Sequence, residues 1–196
     1  MGLQVQGLSY IHPNRDILFQ NINFAISSGE RCAIVGNNGV GKSTLLGIMA
    51  GKVSPAEGCV LCDGVPYMIP QHFGQFDGLS VAEALGLAGK LRALSIILDG
   101  HGTEKEYERL NDEWDIQERL EEAFARWQIG HIAPDMLMGC LSGGEKTKVF
   151  LAGQDIYKPA IVLMDEPTNH LDTTGRALLY EYITHTNRTI IIVSHD

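Results

Sequence analysis

Residues 31–51, "RCAIVGNNGVGKSTLLGIMAG", decide the fold. The apolar start reads as a short buried strand. Residues 36–43 then fit the pattern G-x-x-x-x-G-K-[ST], and "KSTLLGIMAG" continues as a helix closed by Gly51. Glycines in such a loop let backbone N–H groups curl round a phosphate chain at a helix N-terminus. Lys42 supplies a point charge to the β- and γ-phosphates, and the Ser43 hydroxyl can ligate Mg²⁺. A plain glycine-rich turn would explain neither the strand before it nor the helix after it. Nucleotide binding is the reading that explains all three.

Outward from the loop, residues 3–35 read as three strands, "LQVQGLSYI", "ILFQNINFAI" and "RCAIV". A second strand-rich patch, "GCVLCDGVPYMIPQ", follows the "SPAEG" turn. Residues 80–128 look mainly helical. Ile116, Leu120, Phe124 and Trp127 recur at helical spacing, and Asp115 and Glu118 are placed as a capping box. Tyr107, Leu110 and Trp114 suggest a helix before it, and the Trp114/Phe124/Trp127 stripe reads as core. Beyond residue 140 the order is helix, strand ("AIVLMDEP"), helix, strand ("TIIIVSHD"). Wholly apolar strands alternating with helices indicate a buried parallel sheet, here divided by a helical insertion at about residues 75–140.

In "IVLMDEP", Asp165 emerges at the carboxyl end of a buried strand, where parallel sheets place ligands. Its carboxylate can hold magnesium through the ion's water shell. Glu166 is then free to orient or deprotonate a water for attack on a γ-phosphate. Two acids ending a strand before a proline are unremarkable alone; beside the phosphate loop they form a set. "CLSGGEKTKVF", residues 140–150, adds a second phosphate-binding turn, 100 residues after the first counting from Lys42 to Ser142.

"GNNGVGKST", "LSGGE" and "LMDEPTNHLD", in that order, resemble the ATP-binding domain of the ABC ATPase superfamily. "EPTNHLD" with "LSGGEKTKV" is most similar to the ABC-F subfamily, soluble proteins with two ATP-binding domains per chain, many acting on the ribosome. The resemblance implies an α/β fold: a P-loop NTPase with a mainly parallel core sheet, an N-terminal antiparallel β-subdomain and an inserted helical subdomain. It implies ATP and Mg²⁺ as cofactors, with Gly36, Asn37, Asn38, Gly39, Gly41, Lys42, Ser43 and Thr44 around the nucleotide. It also explains the second turn. Two domains pack head to tail in that superfamily, so Ser142, Gly143 and Gly144 would serve the ATP held by a partner, with a helix N-terminus as the anion site.

Further positions follow from the same resemblance. Tyr10, 26 residues before Gly36, matches an aromatic that stacks on adenine. Gln71 matches a glutamine sensing Mg²⁺ and the γ-phosphate, so Ser43, Gln71 and Asp165 form the implied metal set. His195 matches a histidine on the γ-phosphate, and Asp172 would lie at the domain–domain seam. His170 belongs to the same wording without a chemical task. His12, His72, His101, His131 and His185 lack metal-ligand spacing and read as surface or loop residues. The chain stops one residue past the last motif, with Met1 just ahead of the first strand. It therefore reads as the opening domain of a longer protein, cut short, whose partner is a second such domain or a second copy.

Composition narrows the alternatives. The 196 residues, 44 % hydrophobic, suit one domain, and no apolar run approaches a membrane span. "MGLQVQGLSY" lacks the features of a signal peptide, and four cysteines fit a reduced compartment, so the cytosol is expected. Cys59 and Cys62 form a lone C-x-x-C without a second pair, better read as two strand residues. Of the net charge of −9, residues 104–126 carry −5, and no Lys/Arg cluster marks a nucleic-acid groove. That acidic stretch reads as a solvated helical face. The competing readings are the soluble motor of a membrane transporter, which shares every ATP-contacting motif, and a nucleotide-binding scaffold in which Glu166 is idle. DNA-repair relatives in the superfamily separate the two turns by long coiled coils, which the spacing here excludes.

Overall fold

A computed structural model describes residues 2–12 and 16–194. They form two compact units: residues 1–71, 159–169 and 176–196 in the first, residues 72–158 and 170–175 in the second.

The first unit joins two sheets through one helix. Strands β1 (Leu3–Ile11), β2 (Ile17–Ile26) and β4 (Glu57–Cys62) form an antiparallel sheet in the order β2-β1-β4. Strands β3 (Arg31–Val35), β5 (Tyr67–Ile69), β6 (Ile161–Asp165) and β7 (Thr189–Ser194) form an all-parallel sheet in the order β3-β7-β6-β5. Helix α1 (Lys42–Met49) packs its Leu45, Leu46, Ile48 and Met49 into the core that both sheets share, with Leu3, Val5 and Leu8 from one and Leu163, Ile191 and Val193 from the other. Every residue of β6 is buried, as an unbroken apolar run in a parallel sheet requires.

Strand β1 changes parity midway. Leu3 and Val5 face the core, but so does Leu8, because the β1–β2 register shifts between Val5 and Leu8. Gly7 at φ +58° lies at this extra residue of β1, and its N–H donates to Asn23 Oδ1 at 2.7 Å. Asn21 at φ +50° lies at the next register shift, where β2 carries the extra residue. A bulge of one residue moves every later side chain to the other face. Tyr10 therefore packs against the core with Leu8.

The parallel sheet is tied to helix α7 (Thr173–His185) by Arg31. Its guanidinium donates to the carbonyls of Ile183, Thr184 and Thr186 at 2.5, 3.0 and 2.7 Å, meeting the unsatisfied acceptors of the helix end with positive charge. Cys59 is exposed and Cys62 packs against the core: three positions apart on one strand, they point to opposite faces. They are two strand cysteines, as expected.

The second unit is helical: α2 (Val81–Ala84), α3 (Ala88–Leu98), α4 (Glu104–Leu110), α5 (Ile116–Arg126) and α6 (Gly143–Tyr157). It includes α6 and so extends past the 75–140 insertion read from the sequence. Ile116, Leu120, Phe124 and Trp127 are all buried, and Trp127 Nε1 donates to Asp155 Oδ2 at 2.8 Å. Trp114, expected in that stripe, is 48 % exposed because α4 ends at Leu110 and Asn111 turns left-handed at φ +52°. Asp115 does not form the expected capping box with Glu118. Its backbone is not extended, as an N-cap residue must be, and its carboxylate sits 3.2 Å from Arg119 Nε instead. Capping boxes do form at Ser80/Glu83, Thr103/Glu106 and Ser142/Glu145. Part of the acidic segment is also internally paired rather than solvated, since Glu113 bridges Lys90 and Arg119.

Candidate active site

The phosphate loop closes β3 onto α1. Gly41 is its N-cap at φ +96°, and a Cβ there would lie 2.7 Å from the Leu18 side chain, so both the turn and the packing require glycine. The first amides of α1, at Lys42, Ser43 and Thr44, have no partner within their own helix and form an anion cradle. Lys42 Nζ donates to the carbonyls of Gly36 and Asn37 at 2.6 and 2.9 Å, which holds the ammonium inside the curl of the loop.

A cavity of about 320 Å³ opens over this loop, lined by Asn38, Gly39, Gly41, Lys42, Ser43, Thr44, Gln71, Glu166, Val193, Leu18 and His12. Glu166 and Gln71 follow the carboxyl ends of β6 and β5, where an open α/β sheet places its ligands. Glu166 is 5 % exposed and turns at φ +48°. That left-handed conformation costs a non-glycine residue about 1–3 kcal/mol and is typical of functional turns. Its N–H donates to Val193 O at 3.0 Å, so β7 fixes the turn. Asp165, buried at the end of β6, pairs in register with Val193 and is not among the lining residues.

The donor set fits Mg²⁺. Ser43 and Gln71 bring hard oxygens to the cavity that holds Lys42. Among the described residues, no three His, Cys, Asp or Glu cluster as a metal cage. Magnesium is normally held by a few protein oxygens together with substrate phosphates and water, rather than by such a cage.

Two expectations meet different placements. Tyr10 does not line the cavity: the bulge in β1 turns its ring to the core, where it meets Phe19 at 6.1 Å. His12 lines it instead, with the Tyr10 ring edge-on at 5.5 Å. His12 is an exposed residue just past the end of β1, as expected of a surface or loop histidine, and its position two residues after Tyr10 is the one sequence signal for its place at the cavity. His195 lies outside the described residues.

Ser142, Gly143 and Gly144 line a different cavity, of about 490 Å³ in the second unit, with Gln128, His131, Glu145, Lys148, His170 and Asp172. Ser142 caps α6 reciprocally with Glu145. His131, ahead of the Ser142 turn, and the Ser142 hydrogen bonds hold the Glu145 carboxyl down at about 2, so it stays ionised at any working pH. His170, without a task in the sequence, explains both glycines: a Cβ on Gly143 would meet its ring at 3.2 Å, and one on Gly144 its carbonyl oxygen at 2.8 Å. The Asp172 carboxylate accepts from Gly175 N–H at 2.8 Å, capping the first turn of α7, and lies 3.9 Å from Lys148 Nζ.

The comparisons with known proteins agree with this fold. A model of the family described as ABC transporter matches residues 19–169. The tylosin resistance ATP-binding protein TlrC of Streptomyces fradiae is 30 % identical over 99 % of this chain and 39 % of its own length. The energy-coupling factor transporter ATP-binding protein EcfA3 of Clostridium perfringens is 32 % identical over 99 % of this chain and 69 % of its own. Among solved structures, a dimeric ATP-binding cassette in a post-hydrolysis state with ADP and Pi superposes with a TM-score of 0.72. It is 23 % identical, over 99 % of this chain and 88 % of that one, and confirms the α/β P-loop cassette fold. The chain spans about two-fifths of the length of the first curated relatives it matches.

Proposed function

The chain belongs to the ABC transporter family of ATPase domains, working on ATP with Mg²⁺, and from that premise we propose that it is an ABC-F type domain whose ATP-driven closure onto a second such domain acts on the ribosome. The observation that carries the closure onto a second domain is the presence of two cavities in separate units, one over the phosphate loop and one at the Ser142 turn. One holds the phosphate loop with Glu166. The other holds a serine–glycine–glycine helix start beside Glu145 and Asp172, with none of the phosphate-loop residues among its lining, which suits it to a nucleotide bound elsewhere. The "LSGGEKTKV" and "EPTNHLD" wording supports the subfamily, as does likeness to a resistance protein.

In this mechanism Lys42 and the α1 amides bind the β- and γ-phosphates. Ser43 and Gln71, with Asp165 behind them, would hold Mg²⁺, which would supply charge neutralisation of the phosphate oxygens. Glu166 takes a proton from the attacking water as its oxygen bonds to the γ-phosphorus, and ADP leaves with the electron pair of the broken bond. The γ-phosphate must bind the closed state better than the open one, because a ligand shifts an equilibrium only by its differential affinity. Ser142, Gly143 and Gly144 supply that difference, and hydrolysis removes it.

His12 is the ring this reading places beside the nucleotide, with Tyr10 behind it. His12→Ala is expected to weaken ATP binding by about 5- to 20-fold, in line with about 1–2 kcal/mol for loss of one base-stacking ring. Tyr10→Leu, keeping the core filled, is expected to change it by less than about 3-fold. Titration with a fluorescent ATP analogue distinguishes the two; the reverse ranking returns the platform to Tyr10.

The ribosome role is tested with the intact protein carrying Glu166→Gln, sedimented with purified ribosomes. Pelleting in ATP but not without nucleotide is the expected result. Failure to pellet, with ATP binding confirmed, would favour the second reading, the ATPase subunit of a membrane transporter. That reading is supported by the 69 % of EcfA3 that the chain covers. Among the described residues no helix is long and apolar enough to cross a membrane.

A further inference from the structure

The stretch between α5 and α6 carries His131, to which neither the motifs nor the mechanism above give a role. Its Nε2 lies 3.0 Å from Glu145 Oε1. The other oxygen of the same carboxylate, Oε2, accepts from both the amide and the hydroxyl of Ser142, at 2.8 and 2.7 Å. The Ser142 hydroxyl in turn accepts the Glu145 N–H at 3.3 Å. One carboxylate is therefore shared between an imidazole and the turn that begins α6.

This arrangement constrains the turn. A hydroxyl has one proton to give, and that of Ser142 is committed to Glu145. To donate to an incoming anion it must leave the carboxylate, and an ionised carboxylate beside the turn also repels that anion. Every charged or titratable group around the cavity bears on this balance. Helix α6 contributes Glu145 and Lys148; the segment before α7 contributes His170 and Asp172. On its other side His131 shares a cleft with Glu121 of α5. Within the Ser142 cavity, Lys148 against Glu145 and Asp172 leaves one net negative charge while both histidines are neutral. A proton on His131 cancels it.

We propose that His131 is a positioning residue for the Ser142 turn: it holds Glu145 and, when protonated, offsets its charge, so that Ser142 can turn to the terminal phosphates of ATP bound by a second domain. The proposal rests on the reading that this turn receives a partner's nucleotide. Glu145 stays ionised far below neutrality, and histidine is the residue type whose charge changes between pH 5 and 8. The histidine side chain is 64 % exposed and the glutamate 32 %, which sets a modest scale for the effect.

The test measures ATP turnover by the intact protein at saturating ATP, at pH 6 and pH 8, for wild type, His131→Gln, His131→Ala, His170→Gln and Ser142→Ala. Glutamine keeps a donor for Glu145 but cannot take a proton. The rate of His131→Gln is expected to stay close to wild type at pH 8 and to fall about two- to five-fold below it at pH 6. His131→Ala is expected to fall at both, and His170→Gln to show no such pH-dependent ratio. The loss should be in kcat, with binding of a fluorescent ATP analogue to the phosphate loop unchanged. A ratio of His131→Gln to wild type that is the same at both pH values, with Ser142→Ala impaired, overturns the role of His131 alone. Wild-type turnover by Ser142→Ala overturns the partner-nucleotide reading and this proposal with it.

Discussion

Lys42→Ala is expected to abolish tight ATP binding, weakening it by about 10³-fold. Among the described residues, Lys42 is the only lysine or arginine lining the phosphate-loop cavity. A unit charge about 4 Å from a phosphate oxygen is worth about 4 kcal/mol at an effective dielectric constant of about 20, which corresponds to three decades in Kd. The side chain also holds the loop, because its ammonium bridges the Gly36 and Asn37 carbonyls. Alanine leaves those carbonyls facing the phosphates, which adds repulsion to the lost attraction. Lys42→Arg is not expected to restore binding, since a planar fork replaces a point charge inside a tight curl. Titration with a fluorescent ATP analogue in the presence of Mg²⁺ reads the effect. A loss of only about tenfold would mean that the α1 amides carry most of the binding.

Glu166→Gln is expected to leave ATP binding intact and to slow turnover by about 10² to 10⁴. The substitution keeps the shape of a side chain that is almost fully buried and removes only its capacity to take a proton. The backbone turn at φ +48°, held by the N–H bond to Val193 O, is unaffected. A difference in rate therefore reports chemistry rather than refolding of the turn. Phosphate release under single-turnover conditions, beside ATP retention on the same protein, separates the two quantities. Unchanged turnover would assign the proton to another group and leave Glu166 as an orienting residue at most.

What could be read from the sequence divides along the range of the interactions involved. The phosphate loop, the apolar strands β6 and β7, and the Ser142 helix start are coded by residues within a few positions of one another. A glycine spacing, an unbroken apolar run or a serine three residues before a glutamate specifies its local conformation wherever the chain goes. The position of Glu166 at the cavity was legible for the same reason, since it directly follows the buried strand that places it. The capping box at Asp115 failed although its pattern was present, because Arg119 one turn later offers the carboxylate a competing partner.

The sequence by itself therefore determined the nucleotide-binding chemistry, the order of strands and helices and the family of the chain. Tertiary structure alone decided which ring faces the nucleotide cavity. The bulge at Gly7 depends on pairing between β1 and β2, and it turns Tyr10 inward while His12 lines the cavity. Tertiary structure also decided why residues 143 and 144 are glycines and what surrounds Ser142. His170 and His131 reach that turn from separate parts of the chain, at approach distances no local pattern encodes. The physical reason is the same in each case: strand register and loop approach are set by contacts between distant residues, whereas a motif records only its own neighbours.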